Sequence, residues 1–246
     1  KKNQILANQL KTVQSLELEK NNYKSKYNAL KKMEFNFEWY KDGVKAVMKK
    51  SLKVKSDTGE SDCSNKKILG LMADIIEPEA SFENAVEAVL GESLQYILIN
   101  EPETGIESIE YLKSKGAGRS GFIPVSSIRS NPAMQTFKDF PQSKMLLHKV
   151  KVKKGFEKII SSVLNNIIVA DNMVEALKIF KASKCAITIV TKNGNIISGQ
   201  GVMTGGSKEN LSGILAKKQE LRTLEQKIIE LNEKIESEHF FLKELE

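Results

Sequence analysis

The side chains best suited to chemistry are few and scattered. The cysteines are Cys63 and Cys185, and the histidines are His148 and His239. No two of these four lie at a metal-ligand spacing. Two isolated cysteines are expected to be reduced, packed thiols rather than a disulfide framework. A histidine-dependent triad would have to run through His148, in a basic stretch, or His239, near the C-terminal end. Neither neighbourhood suggests one, so the sequence points away from catalysis and metal binding.

Two glycine-rich stretches remain. Gly116-Ala117-Gly118-Arg119-Ser120-Gly121 matches G-x-G-x-x-G literally. A dinucleotide loop needs a strand before it and a helix after it. Here a helical pattern precedes and a strand pattern follows, so a helix stop and turn explain the glycines better. No G-x-x-x-x-G-K-[ST] and no C-x-x-C occurs. The second stretch, Gly199-Gln200-Gly201-Val202-Met203-Thr204-Gly205-Gly206-Ser207, places four glycines in eight residues. Glycine permits positive φ and close backbone approach. Physical reasoning leaves three readings open: a phosphate nest, a close contact with a second backbone, or a flexible joint.

The elements around these stretches fall into three parts. At the C-terminal end, Ile214, Lys217, Leu221, Leu224, Ile228, Leu231, Ile235, Glu238, Leu242 and Leu245 follow alternating intervals of 3 and 4. That heptad repeat predicts a coiled-coil strand, broken only by Lys217 and Glu238. At the N-terminal end, Leu6, Leu10 and Val13, then Leu16, Lys20, Tyr23, Tyr27 and Leu30, give a similar pattern with a phase break near Val13–Leu16. The helix is expected to continue toward Phe35 or Trp39. Each strand would be about 50 Å long. Residues 1–34 carry eight bases and three acids, and residues 213–246 carry six bases and eight acids. Opposite charge and high effective concentration predict that the two ends pair with each other, antiparallel.

The middle alternates strand and helix. Ile68–Ile76 reads as a buried strand, followed by a helix capped at Ser81, with Phe82, Ala85, Val86, Val89 and Leu90 on its apolar face and a stop at Gly91. Gln95–Ile99 is a strand. Thr104 and Glu107 have capping-box spacing, and Ile106, Ile109 and Leu112 supply the apolar face of a helix ending at Gly116. Gly121–Val125 is a short strand, with Pro124 indicating a sheet edge. Residues 126–158 are less regular. Ile167–Ala170 is a strand, Asp171 caps a helix through Val174, Leu177 and Phe180, and Cys185–Thr191 and Ile196–Ser198 flank an Asn193-Gly194 hairpin turn. The expected fold is a mixed α/β globule of two subdomains, flanked by an antiparallel intramolecular coiled coil. The expected borders are 1–38 and 213–246 for the coil and 39–212 for the globule, with subdomains of roughly 39–116 and 117–212.

The chain has 246 residues, 40% apolar and 28% charged, with a net charge of +7. This excludes collagen-like and disulfide-framed classes. No window approaches the ~18 apolar residues of a membrane helix. Without an initiator Met or a secretory stretch, an intracellular protein or an excised piece of one is expected. The charge is segregated. Ile68–Leu112 holds ten acids and no base, while Lys41–Lys55 and Lys144–Lys158 hold six lysines each against one acid. A basic run can hold a polyanion by releasing its counterions, or can simply be solvated surface.

Taken together, these motifs resemble the hinge of SMC (structural maintenance of chromosomes) proteins, bacterial or archaeal in type. The matching residues are Gly43-Val44-Lys45-Ala46-Val47; Ala88-Val89-Leu90-Gly91 then Tyr96-Ile97-Leu98-Ile99; Tyr111-Leu112-Lys113, Gly118-Arg119 and Phe122-Ile123-Pro124; and the exit stretch 199–207, with Met203-Thr204-Gly205-Gly206 the most specific. The resemblance implies a non-enzymatic two-subdomain fold that dimerises with a copy of itself. Gly199, Gly201, Met203, Thr204, Gly205 and Gly206 would lie at the contact. It implies no cofactor in this segment, since ATP, magnesium and kleisin-type subunits belong to distant head domains. It also implies weak DNA binding, chromosome condensation and segregation, and a cytoplasmic, nucleoid-associated location. Relatives place DNA-binding lysines after the exit glycines; here only Lys208 precedes Glu209. Lys144, Lys149, Lys151, Lys153 and Lys154 are therefore the substitute candidates, with Lys208. Two other readings stay open: a nucleotide- or metabolite-binding α/β domain, and a coiled-coil tether for protein partners only.

Overall fold

The computed structural model describes residues 2–58, 67–128, 141, 144–183, 186–206 and 213–245. Two compact units result, one made of Lys1–Glu38 with Ala216–Glu246, the other of Trp39–Leu215.

The first unit is a pair of helices, α1 (Lys2–Phe35) and most of α7 (Ile214–Leu245). They run antiparallel. Glu34 accepts from Lys218 Nζ at 2.8 Å, Tyr27 Oη donates to Glu225 at 3.3 Å, and Glu17 lies 3.9 Å from His239. Val13, Leu221, Leu224, Leu231, Ile235 and Leu242 are buried along the seam. The expected phase break does not occur. Leu10 is 46% exposed, and Gln9 takes the seam position instead, its amide donating to Glu238. With Gln9 included, 6, 9, 13, 16, 20, 23, 27 and 30 form one continuous stripe. Lys218, not Lys217, is the buried lysine of α7. Gln9 meets Glu238 and Lys218 meets Glu34 across the seam, the pairing a buried polar group requires.

In the second unit, α2 (Asp42–Thr58) leads to β1 (Ile68–Leu71), β2 (Ile76–Pro78), α3 (Glu83–Leu90), β3 (Ile97–Ile99), α4 (Pro102–Lys115) and β4 (Phe122–Pro124). β5 (Val150–Val152), α5 (Glu157–Leu164), β6 (Ile167–Ala170), α6 (Met173–Ala182), β7 (Thr188–Thr191), β8 (Ile196–Ile197) and β9 (Met203–Thr204) follow. The first sheet has order β1-β3-β4, with β3 and β4 parallel across α4. A subdomain border at residue 116 would divide this sheet, because β4 pairs with β3. The last sheet has order β6-β7-β8-β9, with β6 and β7 parallel across α6. The antiparallel ribbon β2–β5 joins the two halves. Leu94, Ile97, Leu98 and Ile99 are buried in the first half. Ile168, Ala176, Ile187, Ile189 and Ile197 cluster in the second.

Local chemistry explains where the elements depart from expectation. Ile68–Ile76 is two strands, not one: Gly70 adopts φ +144° at a register shift, and Asp74 Oδ2 captures the Leu71 N–H at 2.9 Å. Ser81 sits inside a 3-10 turn, and α3 begins after Phe82 without a side-chain cap. α4 starts one turn earlier than the capping-box reading, at Pro102, whose missing N–H costs nothing at a helix start. Its end at Gly116, φ +59°, is as expected. Asn172 rather than Asp171 caps α6: its side chain accepts from Glu175 N–H, while Glu175 reaches back to Asp171 N–H. The Asn193-Gly194 turn joins β7 and β8, and β4 lies at a sheet edge. Residues 184 and 185 lie outside the described residues, and β7 runs from Thr188.

Candidate self-association edge and basic surface

The exit glycines form the tail of the last sheet. After β8 the chain turns tightly: Gly201 N–H donates to Ser198 O at 2.8 Å, and Ser198 N–H to Val202 O at 2.9 Å. Gly201 has φ +84°, a conformation that favours glycine. A Cβ on Gly199 would stand 3.0 Å from the Ala186 carbonyl carbon, and one on Gly205 2.5 Å from Asn195 Oδ1. Gly206 has φ +140° with open space around it. The sequence reading gave all four glycines to a contact between two chains. Three of them have a reason inside this chain, a turn at 201 and close approaches at 199 and 205. Beyond those contacts, β9 is the last strand of its sheet. It pairs with β8 on one side and, among the described residues, with nothing on the other. Val202 is 61% and Met203 56% exposed, and Thr204, Gly205 and Gly206 are exposed too. Of the candidate residues, Met203, Thr204, Gly205 and Gly206 thus share one exposed strand edge, while Gly199 and Gly201 lie in the turn before it.

The lysine candidates do not share one surface in the same way. Lys144 donates to Glu175 at 2.7 Å. This bond holds the Glu175 carboxyl below its ordinary value, helped by the Asp171 N–H, and raises Lys144. Lys149 lies 4.0 Å from Glu79 and 5.3 Å from the centre of the Phe82 ring. Lys151 stands opposite Glu77 in the β2–β5 ribbon. Lys153 and Lys154 are exposed in the turn before α5, and Lys158 in its first turn. The amides at this turn are already served: Gly155 N–H donates to Glu157 at 2.9 Å, and backbone bonds of this kind lower the Glu157 pKa. Lys208, Cys63 and Cys185 lie outside the described residues. His148 is exposed. No group of three or more metal-ligating side chains forms among the described residues.

The Gly116–Gly121 loop packs against the start of α2. A Cβ on Gly43 would meet Arg119 O at 2.5 Å, and one on Gly121 would overlap the Tyr96 ring at 2.4 Å. Its glycines thus serve close packing beside an open cleft of about 700 Å³. Two features escaped the sequence reading. Glu87 is only 3% exposed, and its carboxylate accepts the N–H of Ile214, the first residue of α7, at 3.0 Å. An acid inside the apolar run Ala85–Leu90 was the one available signal. The other is the reversed burial of α4, which buries Gly105 and Ser108 and leaves Ile106 and Ile109 exposed.

Comparison with known proteins agrees with this architecture. Residues 65–180 match the family described as SMC proteins flexible hinge domain. The chromosome partition protein Smc of Myxococcus xanthus is 28% identical over 215 residues, covering 86% of this chain. That of Halothermothrix orenii is 29% identical over 226 residues, again 86% of this chain. The chain spans 17% of the length of each relative. Among solved structures, the SMC hinge domain of Geobacillus stearothermophilus, crystallised as an asymmetric dimer, superposes with a TM-score of 0.84 at 22% identity, covering 99% of this chain and 96% of that one. Matched segment, relatives and fold agree, and they identify residues 65–180 of this chain as similar to the SMC hinge.

Proposed function

We propose that this chain joins two SMC arms by associating with a second copy of itself, through the open edge of β9. In the parent protein this would link two arms of a chromosome-organising ATPase acting in condensation and segregation, in the cytoplasm at the nucleoid. ATP, magnesium and kleisin-type subunits would engage other parts of that protein. The observation that carries the reading is that Met203–Thr204 ends a four-stranded sheet with its outer edge unpaired among the described residues and its side chains exposed. An open edge is a template for another strand. The glycines flanking it keep that approach free of side chains. The crystallised dimer of the Geobacillus stearothermophilus hinge supports the same reading.

An auxiliary, weak affinity for DNA is the second part of the proposal, placed on Lys153 and Lys154 with Lys158. Their ammonium groups are exposed and remain available to phosphates. Light scattering at tens of micromolar tests the first part. A mass twice that of the chain is expected, and a strictly monomeric species would refute self-association.

A further inference from the structure

The Gly116–Gly121 loop has no helix directly after it, but the fold brings one to it. Gly118, at φ +83°, lies against the first turn of α2, where a Cβ on it would stand 3.8 Å from Gly43 N. The cleft of about 700 Å³ opens beside this junction, with Lys41 and Asp42, Glu92 and Gln95, and Arg119 on its walls. Lys41 directly precedes α2 and has no side-chain acceptor, so it leaves the N–H groups of the first turn uncapped. Its own N–H donates to Gln95 Oε1 at 2.9 Å. Gln95 is only 8% exposed. Its Nε2 has no partner among the described residues and borders the cleft. A buried amide nitrogen calls for an acceptor.

The charges in the cleft leave one cation over. Glu92 accepts from Lys41 Nζ, and Asp42 lies 3.5 Å from Lys45 Nζ. Arg119 is exposed and makes no ion pair or hydrogen bond among the described residues. A free guanidinium, a helix N-terminus and a buried amide donor together suit an anion with several acceptor oxygens. We propose that this cleft binds a phosphoryl group, held by Arg119 and by Gln95 Nε2 at the start of α2. The cleft is larger than one phosphoryl group, so a phosphate ester fits as well as inorganic phosphate. The proposal rests on neither the β9 edge nor the lysines of the 144–158 run.

The first probe is inorganic phosphate, titrated into the whole chain at constant ionic strength and followed by amide NMR. Saturable shifts at Gly43, Arg119 and the Gln95 side-chain amide are expected. Arg119→Ala should weaken binding at least about tenfold. Gln95→Glu keeps the acceptor for the Lys41 N–H but replaces the donor by a carboxylate, and should weaken binding as much. Melting curves show whether each variant is folded. If Gln95→Glu unfolds, the exposed Arg119→Ala decides alone. Lys153→Ala with Lys154→Ala should bind phosphate like the parent. Duplex DNA is the second probe. If it shifts the same amides, a backbone phosphate fills the cleft; if inorganic phosphate alone does, the ligand is a small phosphate, and either result upholds the site. Shifts that do not saturate, or that scatter over exposed lysines, mean an adventitious ion only and overturn the proposal. So does an Arg119→Ala variant that binds like the parent. If phosphate leaves the cleft unmoved while DNA shifts Lys153, Lys154 and Lys158, this proposal falls and the DNA reading stands.

Discussion

The β9 edge and the lysine run 144–158 are both contiguous in sequence, and folding treats them differently. A strand edge is made of backbone, so residues 202–206 stay together whatever their side chains do. A run of charges is made of side chains, and each finds its own neighbour. Lys144 is drawn to Glu175 and Lys149 to Glu79 and Phe82, while Lys151, opposite Glu77 in the strand register, is exposed, as are Lys153, Lys154 and Lys158. Contiguity in sequence therefore identifies a surface when the backbone carries it, and overcounts one when charge carries it.

The largest expected effect breaks the backbone side of this contrast. Gly205→Glu is an ambiguous probe, because its Cβ already meets Asn195 within the chain. Met203→Glu is cleaner: the side chain is exposed and its neighbours need not move. It should weaken self-association by about 3 kcal/mol, roughly a hundredfold, through a charge in a desolvated strand contact. Sedimentation equilibrium measures it. An unchanged dimer would remove β9 from the interface.

The next effect sharpens the charge side. Lys153→Ala with Lys154→Ala should lower DNA affinity about tenfold and make its salt dependence shallower by about 2 in log–log slope. Lys144→Ala with Lys149→Ala should leave that slope unchanged. Fluorescence anisotropy across salt concentrations separates the two pairs. Equal losses would mean that the ion pairs seen here give way to phosphate.

The same distinction operates in the coiled coil. Lys217 and Lys218 are neighbours in sequence, yet Lys218 is 8% exposed and bonded to Glu34. Lys218→Ala should cost about 1–2 kcal/mol, by stripping a half-buried carboxylate of a charged donor. Lys217→Ala, at a half-buried position, should cost less than Lys218→Ala. Thermal unfolding by circular dichroism reads both, and equal shifts would contradict the assigned seam.

Most of the architecture was legible because periodicity reports burial. The heptads of α7, the hydrophobic strands β3 and β6, the glycine stops at Gly91 and Gly116 and the Asn193-Gly194 turn all follow from local rules. Periodicity fails where a single tertiary contact outweighs it. Leu10 fits a heptad by type, but Gln9 holds the seam because Glu238 faces it. Ile106 and Ile109 look like a core face, but Gly105 and Ser108 pack closer to the sheet. The break between β1 and β2 depends on the Gly70 backbone and on the Asp74 carboxylate that takes the Leu71 N–H. For the candidate site, the glycine motif located the edge, yet only coordinates assign Gly199, Gly201 and Gly205 to contacts within the chain. Nothing local marks Glu87 as the partner of a helix start more than a hundred residues away.

The smallest effect concerns the engaged lysine itself. Glu175 is held below its ordinary pKa first by Lys144 and then by the Asp171 N–H. A lowered acid contributes stability in full above its unfolded pKa, near 4.3, and loses it as pH falls through the folded value. Lys144 is raised by the same bond, so its contribution is full below its unfolded value, near 10.4, and is lost as pH rises through the folded one. The pair therefore stabilises between roughly pH 4.5 and pH 10 and fades at both ends. Both side chains are partly exposed, at 44% and 27%, so solvent screening limits the effect at pH 7 to about 1 kcal/mol. Lys144→Ala should lower the melting temperature by a few degrees at pH 7, and by less and less as acid protonates Glu175. A loss that does not shrink on acidification would mean that Lys144 acts through its aliphatic stem rather than its charge.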